Sequence, residues 1–134
     1  MAGLKIGVLT FHRCINYGSY WQTRCLIEGL QKRGHDAVVL DHHSRRVNFA
    51  EWKCALQPVL PTPVPKSDYA FYRQKMEKFF CEFDSLPLSP AFPLDDPSQM
   101  EEYDIVVVGS DEVWNLSHPW YSYCLLYTSD AADE

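Results

Sequence analysis

Leu4-Lys5-Ile6-Gly7-Val8-Leu9-Thr10-Phe11 is the stretch on which the fold turns. It is nearly continuously apolar and contains β-branched residues, without the polar alternation of a half-solvated strand. It therefore predicts a strand buried on both faces of a parallel sheet. After the loop His12 to Tyr17, the segment from about Gly18 to Arg33 places Tyr20, Leu26, Ile27 and Leu30 on one side of a helix, and Gly34 supplies a stop signal. Ala37 to Asp41 (AVVLD) follows as a second strand. Strand, helix and strand spell one β-α-β unit, whose crossover is expected to be right-handed.

Further along, Tyr69 to Asp84 carries Tyr72, Met76, Phe79, Phe80 and Phe83 at helical spacing on one stripe, with Lys75, Lys78 and Glu82 off it. This predicts an amphipathic helix docked on the sheet. Tyr103 to Val108 (YDIVVV) reads as another buried strand, ending in Gly109-Ser110-Asp111. Between these elements the pattern is weaker. His42 to Asp68 combines HHSRR, an aromatic-containing segment from Phe49 to Leu56, and four prolines within Pro58 to Pro65. Prolines forbid a regular helix and interrupt a ladder, so this part predicts an extended crossing segment or lid rather than a second domain. Leu86 to Pro97 is a second proline-rich connector. The class is α/β with a parallel sheet.

The chain has 134 residues, 46% of them apolar and 14% aromatic, ample for the core of one domain. Its last stretch, Cys124 to Glu134 (CLLYTSDAADE), resembles the translation of a sequencing adapter, so residues 1–123 are expected to form the domain and 124–134 a non-native tail. Leaving out Asp130, Asp133 and Glu134 moves the formal charge from −6 to −3. No basic patch is available to displace counterions from phosphates, which argues against nucleic acid. Cys14, Cys25, Cys54 and Cys81 are irregularly spaced, with no CxxC. They read as reduced thiols of a cytoplasmic protein, two of them on helix surfaces, and no metal site is expected. No apolar run reaches the roughly eighteen residues of a membrane span.

Ligands of open parallel sheets collect where strand carboxyl ends meet helix N-termini, because unpaired N–H groups and a partial positive charge lie there. Two motifs fall at that edge. In the first, NYGSYWQ, Asn16 and Gly18 serve either to cap and accommodate the helix or to approach a ligand closely. The turn has neither GxGxxG nor a GKS or GKT ending, so neither a dinucleotide nor P-loop phosphate binding is indicated. In the second, GSDEVWN, Ser110 or Asp111 is either the cap of a following helix or, beside Trp114 and Asn115, a partner for sugar hydroxyls. The histidines His12, His42 and His43 read as solvent-facing loop residues. A weaker reading lets Asp41 and His42, at the end of the second strand, meet a substrate.

Taken in order, KIGVLTFHRCINYGSYWQ, the helix after it, RGHDAVVLD and YDIVVVGSDEVWN closely resemble the N-terminal part of the polysaccharide pyruvyl transferase family over residues 4–116. Family members typically read NYGAxLQ and YDxxIVGSDQxWN at these places. The resemblance implies a Rossmann-like parallel sheet forming the N-terminal half of a GT-B-like two-domain transferase. It implies transfer of a pyruvyl group from phosphoenolpyruvate, a donor substrate rather than a cofactor, to a sugar hydroxyl of a cell-surface polysaccharide. The implied substrate-binding residues are Asn16, Tyr17, Gly18 and Gln22 at the first turn and Gly109, Ser110, Asp111, Trp114 and Asn115 at the second, with Asp111 foremost as an acceptor contact. The catalytic residues are expected in a C-terminal half that this chain lacks, so the chain alone is expected to be inactive.

Two departures from the family pattern stand out. Glu112 occupies the usual Gln position, and Tyr20 and Trp21 replace smaller aliphatics. Two alternatives stay open at this stage: a GT-B glycosyltransferase using a nucleotide sugar, and a small flavodoxin-like binding module without catalysis. The partners expected are a small-molecule donor and a glycan acceptor, and the sequence sets no oligomeric state.

Overall fold

A computed structural model describes residues 3–58 and 60–109. The elements run β1 (Lys5–Leu9), α1 (Tyr17–Gln31), β2 (Asp36–Val39), β3 (His42–His43), α2 (Arg45–Leu56), α3 (Tyr69–Asp84), β4 (Phe92–Pro93) and β5 (Ile105–Val108). Short 3-10 turns at Lys66–Asp68 and Pro97–Gln99 precede α3 and β5.

β1 lies in the middle of a parallel sheet, with Val8 opposite Val39 of β2 on one side and Val107 of β5 on the other. The chain of β2 continues through Asp41 into β3, and this path pairs in parallel with the segment leading into β4. Val39 bridges Leu88, His42 lies opposite Phe92, and the Phe92 N–H donates to the Asp41 carbonyl at 3.1 Å. Read across, the strand order is β4, then β2 with β3, then β1, then β5. In chain order that is third, second, first, fourth, the order of one half of a doubly wound fold.

The strand order follows from where the apolar side chains point. Ile6 and Val8 of β1 face a core made with Tyr20 and Ile27 of α1 and Phe79 and Phe83 of α3. Leu9 and Phe11 face the opposite side, against Leu40, Val47, Phe92 and Leu94. Burial of both faces explains the unbroken apolar run of β1. Gly7 is needed here, because a Cβ at that position would stand 2.8 Å from Cδ2 of the fully buried Leu40. Gly34, with φ at +87°, turns the chain out of α1 and back toward β2 in a conformation that side chains other than glycine rarely adopt.

α3 spans the residues that periodicity predicted, with Phe79 and Phe83 buried and Lys75, Lys78 and Glu82 exposed. Three predictions need correction. The segment read as an extended crossing or lid contains α2, started by the Ser44 side chain accepting from the Val47 N–H. α2 buries only Val47, so it has almost no apolar stripe to announce it. β5 is not buried: Ile105 and Val106 are 44% and 36% exposed, since β1 is its only strand partner among the described residues. Finally, three cysteines rather than two lie exposed on helices, Cys25, Cys54 and Cys81. Among the described residues no helix is long and apolar enough to cross a membrane.

Candidate functional site

The strand order puts the ends of β1 and β5 side by side. Leu9 is in register with Val108, and the Gly109 N–H donates to the Leu9 carbonyl at 3.0 Å. Connections leave β1 toward β2 on one side and arrive at β5 on the other, which makes this the topological switch point where such sheets hold ligands. The two motifs, about ninety residues apart in the chain, therefore start from neighbouring strand ends.

At the first motif, Asn16 is the N-cap of α1. Its Oδ1 accepts from the N–H groups of Gly18 at 2.7 Å and Ser19 at 3.3 Å. A Cβ on Gly18 would approach that same oxygen to 3.1 Å, so glycine leaves room for the cap. Tyr17 is 60% exposed, its ring 4.8 Å from that of Phe79. Gln22 lies exposed in the second turn of α1. Gly109 closes the described part of the second motif, while Ser110, Asp111, Trp114 and Asn115 lie outside the described residues.

Beneath this edge is a buried polar cluster, and it corrects the reading of the histidines. His12 is fully buried and His42 is 7% exposed. Their rings meet edge to face at 5.0 Å. His12 Nε2 donates to Asp41 Oδ1 at 2.8 Å, and Arg13 grips the same carboxylate with both arms, Nε to Oδ1 and Nη2 to Oδ2, each at 2.8 Å. The Asp41 N–H donates to Ser89 Oγ at 2.9 Å. His42 Nε2 donates to the Thr10 carbonyl at 2.7 Å. Of the three, only His43 is exposed, and it lies in the short strand β3 rather than in a loop. The Asp41 carboxylate oxygens and the His42 Nε2 make their hydrogen bonds inside the protein, with His12, Arg13 and the Thr10 carbonyl.

The electrostatics follow from this packing. Burial alone would raise the Asp41 carboxyl, but the hydrogen bonds from His12 and Arg13, and then their charges, hold it well below the usual carboxylate range. Arg13 is raised in turn, chiefly by its hydrogen bonds to Asp41. Burial, with the nearby His12, pushes His42 down to about 3, so it is neutral at ordinary pH. A bidentate guanidinium-carboxylate pair is rigid as well as strong. It fastens the loop after β1 to the end of β2, and that loop delivers the Asn16 cap and Tyr17. Among the described residues every buried side-chain nitrogen and oxygen has a partner. The cluster is a frame, complete in itself.

The family model of polysaccharide pyruvyl transferases matches residues 16–132. The chain belongs to that family. No curated protein and no solved structure matches it. The matched stretch of this pyruvyl transferase family member opens on Asn16, the cap of α1, and takes in every residue of both motifs. His12 and Arg13, which fasten the loop, precede it. The family name is that of a transferase acting on polysaccharide.

Sequence reasoning missed the Arg13 to Asp41 pair. A signal was present, since each residue sits just past the end of an apolar strand run. Two neighbouring parallel strands bring such positions to the same edge.

Proposed function

We propose that this chain is the N-terminal Rossmann-like half of a GT-B-like two-domain transferase, and that the whole enzyme moves a pyruvyl group from phosphoenolpyruvate to a sugar hydroxyl of a cell-surface polysaccharide in the cytoplasm. What supports the reading most is the meeting of the first-motif turn with the end of β5, in a chain of this family. The second motif continues directly from that end.

In the reaction an acceptor hydroxyl adds to C2 of phosphoenolpyruvate and C3 takes a proton. A second hydroxyl closes the ketal as inorganic phosphate leaves. The donor's phosphate and carboxylate call for a basic pocket, and the proton calls for a general acid. Both belong to the C-terminal half, so the chain alone is inactive.

The part played by this half is to hold the acceptor. Asp111 accepts hydrogen bonds from sugar hydroxyls, aided by Ser110 and Asn115, while the Trp114 indole packs on a sugar C–H face. Gly109 permits close approach. Asn16, Tyr17, Gly18 and Gln22 face the acceptor from the neighbouring turn. Glu112 adds negative charge on this side and disfavours the anionic donor there, consistent with an acceptor role.

The test is Asp111→Ala in the full-length gene product. It is expected to raise the acceptor KM roughly tenfold, the loss of one hydrogen bond to a charged group, and to leave the phosphoenolpyruvate KM in place. A change confined to the phosphoenolpyruvate KM would overturn the assignment.

A further inference from the structure

α1 and α3 run side by side on one face of the sheet and leave between them a groove of about 400 Å³. The helices meet at the groove through the Tyr17 and Phe79 rings at 4.8 Å and through the Tyr20 hydroxyl donating to Glu82 at 2.9 Å, among other contacts. Half of the lining is aromatic, from Tyr17, Tyr20, Trp21 and Phe79, and the other half is charged, three cations with the one carboxylate of Glu82. α1 meets the core through Tyr20, Thr23 and Ile27, and Tyr17 packs on Phe79, so the fold does not require Trp21 to be large and aromatic. Tyr17 and Trp21 stand one turn apart, 60% and 54% exposed.

The charges around the groove are unevenly satisfied. Arg24 is answered by Glu28 at 2.9 Å and Glu82 at 3.9 Å. Among the described residues Lys75 reaches the Tyr17 ring, 5.5 Å from its centroid. Among the described residues neither Lys75 nor Lys78 has a carboxylate within ion-pair distance. Open ammonium groups beside exposed ring faces suit a ligand that offers both flat C–H surfaces and carboxylates.

We propose that this groove binds an acidic glycan chain, the stretch of acceptor polysaccharide flanking the unit that reacts at the sheet edge. The inference rests on the pyruvyl-transfer reading and deepens it. Tyr17 belongs both to the groove and to the first-motif turn, so a polymer held at that turn continues into the groove. One helical turn, about 5.4 Å, separates Tyr17 from Trp21 and is comparable with the advance of one sugar unit. Ring faces of consecutive units pack on the two aromatics, and uronate carboxylates meet Lys75 and Lys78. The concavity between two helices fits a chain better than a bilayer surface, which is met by protruding side chains.

The experiment titrates the full-length gene product with a galacturonic acid hexasaccharide, a neutral glucan of the same length, and phosphatidylserine vesicles. The acidic oligosaccharide is expected to bind more tightly than the glucan. Lys78→Glu and Lys75→Glu are each expected to weaken it roughly tenfold, about 1.4 kcal/mol, and Trp21→Ala to weaken both glycans. All three side chains are exposed, and thermal melting of each variant verifies folding. Equal affinity for both glycans, no glycan binding, or binding indifferent to the three variants overturns the proposal. So does vesicle binding that the lysine variants abolish while glycan affinity is untouched. The two readings fail separately. Pyruvyl transfer with an unchanged polymer KM in all three variants removes the groove alone. Groove-dependent binding of the acidic oligosaccharide without any pyruvyl transfer removes the transferase reading and supports the groove.

Discussion

Arg13 and Lys78 are both cations of this chain, yet the protein uses them in opposite ways. Arg13 is gripped by Asp41 through two hydrogen bonds at 2.8 Å, under a carboxylate that is 6% exposed. Lys78 stands exposed beside an aromatic groove. A charge already satisfied inside the protein has little left to offer a ligand, and its removal leaves a buried partner unpaired. An unsatisfied surface charge contributes almost nothing to folding and is free to meet one. The cluster under the sheet edge is therefore framework, and the groove between α1 and α3 is the surface proposed for binding.

The sharpest way to break this contrast is Asp41→Ala. It leaves Arg13 and His12 without their acceptor and is expected to cost about 3–5 kcal/mol, the usual result of removing one partner of a buried pair, read by denaturant unfolding. A cost below about 0.5 kcal/mol, typical of the surface, would make the cluster no frame at all.

Acid should dismantle the same frame. His42 holds its proton only below about 3 when folded, whereas its ordinary value is 6.5. Between those values the unfolded chain binds a proton that the folded one refuses. Stability is thus fully present above about 6.5 and falls toward 3, at up to about 1.4 kcal/mol per pH unit. Asp41, depressed when folded, adds its own loss as pH drops through and below the ordinary carboxylate range. Unfolding midpoints measured across this range should show the slope, and His42→Gln, which keeps a donor for Thr10, should flatten it between pH 6 and 4. A wild-type curve already flat there would contradict the neutral buried histidine.

A smaller effect belongs to the Asn16 cap. Asn16→Ala frees the N–H groups of Gly18 and Ser19 and is expected to cost about 1 kcal/mol, with Asn16→Asp largely neutral. Lys78→Glu should change stability by less than about 0.5 kcal/mol, which sharpens the contrast with Asp41→Ala from the other side.

These two regions were unequally legible in the sequence. α1 and α3 each bury enough of one face to print a helical period on the sequence, β1 reads as an unbroken apolar run because both its faces are buried, and for α3 the Tyr72 to Phe83 stripe gives nearly the whole span. α2 left no such print, because its large apolar residues Phe49 and Trp52 are exposed and only Val47 is buried. Ser44, three residues before Val47, was the one local signal. β4 is two residues long and contains Pro93, so pairing rather than pattern defines it. β5 has the apolar content of a buried strand, but burial depends on neighbours as well as composition. The two motifs start from neighbouring strand ends, as their places after apolar runs implied. Whether His12 and His42 faced water or each other was decided by which strands became neighbours, a property of the fold that a loop histidine does not advertise.

The proposal that this fold serves the acceptor side of pyruvyl transfer is tested by mass spectrometry of a glycan incubated with the full-length gene product and phosphoenolpyruvate, with inorganic phosphate measured in parallel. A glycan carrying one pyruvyl ketal for each phosphate released is expected. Phosphate release with no change in the glycan, or a glycan extended by a sugar from a nucleotide donor instead, would contradict it.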